Sequence, residues 1–109
     1  MKWAFIYLLE PGEPERTDTL GALVSVGVRN ASEAAAAARR LVGEGVELIE
    51  LCGGFGGEGL GAVVQAVQGK VPVGAVFYGV DASAGLQRLF GAKASGYTAA
   101  APLSNRGTP

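Results

Sequence analysis

The chain has 109 residues, 49% apolar and 17% charged, with a net charge of −1; this suits one folded domain with a core of ordinary size and excludes a disordered or collagen-like chain. Nine Lys and Arg residues are scattered, with Arg39-Arg40 the only adjacent pair, so there is no basic stripe for a nucleic-acid backbone. The absence of His removes the usual neutral-pH base, the Ser-His-Asp triad and most zinc sites, and a single Cys excludes an internal disulfide and suits a reducing compartment.

Trp3–Leu9 is apolar at every position, the pattern of a strand buried on both faces, with Trp3 in the core. The stretch is short for a signal-peptide h-region and no small-residue cleavage site follows it. No segment approaches the ~20 residues needed to span a bilayer, so the expected location is cytoplasmic. Residues 10–19, with Pro11 and Pro14, read as a polar loop. A second strand is centred on Leu23–Val28, where Gly27 marks a bulge or a close approach.

Asn30-Ala-Ser-Glu33 predicts a helix start, Asn30 accepting from the Glu33 amide and Glu33 reaching back to the Asn30 amide. The helix runs to Val42, with Arg39-Arg40 in its last turn and Gly43 and Gly45 ending it. Val46–Cys52 is a third strand, breaking into Gly53-Gly54-Phe55-Gly56-Gly57. A second helix starts near Gly57, with Leu60, Val63, Val64 and Val67 on one face, and stops at Gly69. Val71–Tyr78 is a fourth strand. Asp81 or Ser83 caps a short third helix carrying Leu86, Leu89 and Phe90, closed by Gly91. Residues 92–109 lack periodicity and form a tail.

The order β-β-α-β-α-β-α predicts a small three-layer α/β domain over residues 1–91, with a four-stranded, mostly parallel sheet and helices on both faces. Strands 22–28, 46–52 and 71–78 are expected to be mutually parallel. So small a sheet, with an Ala-rich helix and few charges, predicts a homo-oligomer burying ~800 Å² or more per partner.

Trp3-Ala-Phe-Ile6, the run Gly45-Val-Glu-Leu-Ile-Glu-Leu-Cys-Gly-Gly-Phe-Gly56 and Gly69-Lys-Val-Pro-Val-Gly74 together resemble a family of small bacterial proteins known only as a domain of unknown function. The resemblance covers most of residues 2–91. It implies a single-domain bacterial protein and no particular activity.

The segment richest in chemistry is the glycine loop. Gly54-Phe-Gly-Gly-Glu-Gly59 fits G-x-G-x-x-G between a strand and a helix, and Asp81 follows 22 residues later, near the spacing of a dinucleotide fingerprint. Glycines let backbone amides approach an anion at a positive helix N-terminus. Against this, five glycines from 53 to 59 make the match easy by chance, and Glu58 opposes a phosphate. The plain alternative is a tight turn with Asp81 as an N-cap.

Cys52 stands ahead of a helix start, where a thiol can be activated, but it lacks a base and has Glu50 two residues away; a buried, inert thiol is the alternative. Glu50 is a carboxylate in an apolar strand: either the sheet face is open at that end, or Glu50 meets Arg29, Lys70 or a backbone amide, the alternative to such an ion pair being a raised-pKa acid or ligand-orienting group in a crevice. Tyr78 and Phe55 belong to the same sheet edge, as pocket floor or packing.

Three functions fit. The first is binding of a small anionic metabolite by Gly53, Gly54, Phe55, Gly56, Gly57 and Asp81. The second is isomerase- or lyase-type chemistry, with Glu50 as acid/base assisted by Cys52 or Tyr78. The third is an assembly or accessory subunit whose glycine loop is only a turn. The expectation includes no metal, no cofactor, no nucleic acid and no membrane partner.

Overall fold

The Asn30–Glu33 pair starts a helix as its chemistry requires. In the computed structural model, which describes residues 1–91, Asn30 is extended (φ −162°) and its Oδ1 accepts from the Glu33 amide at 2.8 Å. The helix, α1, runs Ala31–Gly43. Glu33 reaches back one residue further than expected: Oε1 accepts from the Arg29 amide at 2.9 Å, and the Arg29 guanidinium bonds the same carboxylate at 2.8–3.2 Å. This hydrogen-bonded ion pair holds the Glu33 carboxyl below the usual carboxylate range.

The remaining elements are β1 (Trp3–Leu8), β2 (Arg16–Leu20), β3 (Leu23–Val28), β4 (Leu48–Leu51), α2 (Gly56–Val67), β5 (Val73–Ala75) and α3 (Ser83–Phe90). Single 3₁₀ turns at Gly53–Phe55 and Val80–Ala82 precede α2 and α3. The sheet order is β2-β3-β1-β4-β5. The pairs β1–β3, β1–β4 and β4–β5 are parallel, as the helical crossovers demand. The domain is therefore mixed α/β with a mostly parallel sheet.

The sheet has five strands rather than four. The extra strand, β2, lies inside the expected loop and continues into Leu20; it pairs antiparallel with β3. All five of its residues are exposed, so no buried face imprints an apolar alternation on it. An edge strand needs only ladder hydrogen bonds and extended backbone.

Burial along β1 alternates. Ala4 and Ile6 are fully buried, whereas Trp3, Phe5 and Tyr7 are half-buried. Ala4 pairs with Val24 and Ile49, and Ile6 with Val26 and Leu51, all of them buried. This is the face that α1 and α2 cover. On α1, the i, i+3, i+4, i+7 stripe Ala34, Ala37, Ala38 and Leu41 is buried; from α2 come Val63 and Val67. Three alanines in that stripe let α1 approach closely.

The opposite face departs from the three-layer expectation, for the described helices α1 and α2 share one side. Trp3 stands with Leu23 and Leu48 on the uncovered side, not in the core, and Phe5 stacks with Tyr7 at 6.4 Å between ring centroids. Gly27 forms no bulge there. A Cβ on it would lie 2.8 Å from the Tyr7 ring and 2.6 Å from Leu9, so the glycine makes room for two side chains. The predicted tail, 92–109, lies outside the described residues. No described helix is long and apolar enough to cross a membrane.

Candidate functional site

The parallel strands end together, and β4 passes into the glycine segment at that edge. The Cys52 amide donates to the Ile6 carbonyl at 3.0 Å, fixing the exit from the sheet. The Gly53–Phe55 turn follows, closed by the Gly56 amide donating to the Gly53 carbonyl. Gly56 has φ +66°, a conformation that side chains with a Cβ resist, so a glycine is required where the turn passes into α2. Gly59 has a different reason. A Cβ there would lie 2.6 Å from Phe55 Cβ, so its absence lets Phe55 fold back over the first turn.

No side chain caps α2. Gly57 and Glu58 follow in the first turn, where amides lack an intrahelical acceptor; the Gly56 amide is already taken by the Gly53 carbonyl. Gly53, Gly56 and Gly57 line a hollow of about 190 Å³ with Leu60, and Val76, Phe77 and Tyr78 form its opposite wall. That wall is held by the Val76 amide donating to the Leu51 carbonyl at 2.9 Å.

Four of the expected residues thus meet around one cavity: Gly53, Gly56, Gly57 and Tyr78. Gly54 and Phe55 belong to the turn without lining it. Glu50 is elsewhere. It pairs in register with Phe5 and Gly74 on the uncovered face, it is exposed, and it makes no hydrogen bond or ion pair among the described residues. The expected Glu50 ion pair is therefore absent, Arg29 being engaged by Glu33. Cys52 is a free, half-buried thiol.

Asp81 caps neither helix. The residues preceding the 3₁₀ turn and α3 are Gly79 and Ala82, with no side-chain cap. The Asp81 carboxylate instead leans over Gly79, with Oδ1 2.7 Å from where a Cβ would stand. Asp81 borders a shallower depression beside α3, which Tyr78 shares.

The sequence reading missed Leu60, Val76 and Phe77. Their signal was positional: one stands a turn into the helix that follows the loop, the others immediately after the neighbouring strand. A larger hollow, about 470 Å³, lies between the C-terminal ends of α1 and α2, with Arg39, Gln65, Gln68 and Lys70 on its rim. Helix C-termini carry the negative end of the dipole there, which weakens the pull of the two cations on an anion. No cluster of His, Cys, Asp and Glu suited to a metal occurs among the described residues.

Residues 1–91 match a family of unknown function (DUF6506). No curated protein and no solved structure matches the chain.

Proposed function

The chain belongs to the DUF6506 family, and from its own geometry we propose that it binds a small anionic metabolite at the C-terminal edge of its parallel strands. The observation that carries this reading is the convergence of the α2 first turn and the Val76–Tyr78 wall on one hollow. In open α/β sheets this edge is where ligands sit. The uncapped amides of α2 attract the charged group, while Leu60 and Phe77 suit a small apolar body. Glu50 stands on the other face of the sheet, so acid/base chemistry shared with Tyr78 has no common cavity to act in. The reading sets the protein in a bacterial cytoplasm, where a single free thiol stays reduced.

The test is a thermal-shift screen of sugar phosphates, nucleotides and small carboxylates against the wild type and Gly56→Val. A ligand at a hundred times its Kd adds about 2.7 kcal/mol. That raises the Tm of a domain this size by on the order of 10 °C. Gly56→Val, shown to be folded, should abolish the shift. A panel without a hit, or a hit indifferent to Gly56→Val, refutes the reading.

A further inference from the structure

The two edges of the sheet differ in chemistry. β2 carries Arg16 and Asp18, which pair with each other at 2.9 Å, and charged side chains of this kind discourage strand addition. The β5 edge has no such guard: no residue from Val71 to Val80 is charged. Pro72 offers its carbonyl to Ile49, and the Val76 amide bonds Leu51. The strand alternation between those two inward bonds turns the backbone groups of Val73 and Ala75 outward, away from β4. The chain beyond leaves large apolar side chains exposed. Phe77, Val80 and Leu89 are each more than three-quarters exposed, and α3 has no buried residue. An eight-residue helix is marginal without tertiary packing.

We propose that two copies of this chain associate through β5, antiparallel across a two-fold axis at Gly74, to form a continuous ten-stranded sheet. Val73 of each copy then exchanges hydrogen bonds with Ala75 of the other. Gly74 faces its counterpart at the closely spaced position, where it has no Cβ to obstruct the approach and nothing stands within 4 Å of where a Cβ would be. The occupant is a second copy because the surface is self-complementary. Its Val71–Val80 stretch holds no charge that would select a charged partner, and an isologous contact needs only the same patch twice. Val76, Phe77 and Val80, next along the chain, leave apolar side chain exposed, which together with the β5 edge works toward the ~800 Å² per partner of a stable dimer. This proposal does not depend on the ligand reading.

Light scattering on the full chain at about 50 µM decides it, with Ala75→Pro and Phe77→Glu as variants. Proline at position 75 removes only an outward amide, so the β4–β5 ladder survives while pairing to a partner is blocked. Circular dichroism first confirms that each variant is folded. The wild type should have twice the 11.0 kDa chain mass, and the folded variants half the wild-type value. Should Ala75→Pro fail to fold, Phe77→Glu on the surface decides alone. A wild-type mass of 11.0 kDa assigns the patch to residues 92–109 or to a different protein and overturns the proposal. An associated mass that no folded variant lowers overturns it as well.

Discussion

Two glycines of α2, only two residues apart, should respond differently to the same substitution. Replacing an interior helical Gly by Ala gains about 1 kcal/mol, because alanine has less conformational entropy to lose. At Gly61 a Cβ meets nothing within 4 Å, so Gly61→Ala should show the whole gain. At Gly59 the new Cβ would stand 2.6 Å from Phe55 Cβ, 3.2 Å from Cδ1 and 3.3 Å from Cγ. The nearest of these is fixed to the backbone and cannot swing aside. Forcing a methyl into such a space costs about 1–3 kcal/mol, leaving Gly59→Ala between neutral and about 2 kcal/mol destabilised. A kcal/mol moves the Tm of a domain this size by roughly 4–8 °C. Differential scanning calorimetry should therefore place Gly61→Ala above the wild type and Gly59→Ala level with or below it. The displaced Phe55 also pushes on the Gly53–Phe55 turn, so a ligand in the adjacent hollow should bind Gly59→Ala more weakly and Gly61→Ala unchanged. If both variants gain stability equally, Phe55 does not rest on Gly59 and the account of the loop fails.

Two further outcomes follow from the charges. The Glu33 carboxyl is held below its ordinary range by Arg29, so its contribution is complete above the unfolded carboxylate pKa and fades as pH falls through the lowered folded value. Melting curves of wild type and Glu33→Gln should differ at pH 7 and converge toward pH values below the ordinary carboxylate range. Glu58 adds negative charge to the first turn of α2, so Glu58→Gln should tighten a phosphate- or carboxylate-bearing ligand by about two- to fivefold, read by calorimetric titration.

The helices and parallel strands were legible because their burial leaves a pattern. The Ala34, Ala37, Ala38, Leu41 stripe and the Asn30 cap place α1 to within a residue or two. The apolar runs locate β1, β3 and β4 along the chain, and the helices between β3, β4 and β5 imply their parallel direction, whereas the order of strands across the sheet leaves no mark in the apolar pattern. β2 was illegible for the converse reason: a strand with no buried residue carries no alternation, and its polar composition reads as loop. The length of β5 was overread, since Val76 and Phe77 are apolar and strand-like but lie beyond the last ladder pair, exposed at the edge.

The candidate site is legible in its glycines, whereas Glu50 stands away from the hollow. Gly56 needs a positive φ and Gly59 a missing Cβ, and both demands surface in the sequence as glycine. Glu50 invites a catalytic reading because it interrupts an apolar strand. A strand, however, sends successive side chains to opposite faces. Ile49 and Leu51 point to the helix-covered core, so Glu50 must face the other side, where no described helix covers it. A carboxylate there stays in water and needs no partner, so its presence in the strand imposes neither an ion pair nor an active site. The alternation that makes β4 a good strand thereby separates Glu50 from the hollow formed by α2 and the Val76–Tyr78 segment, and leaves backbone amides as the polar groups that the glycine loop itself brings to that hollow.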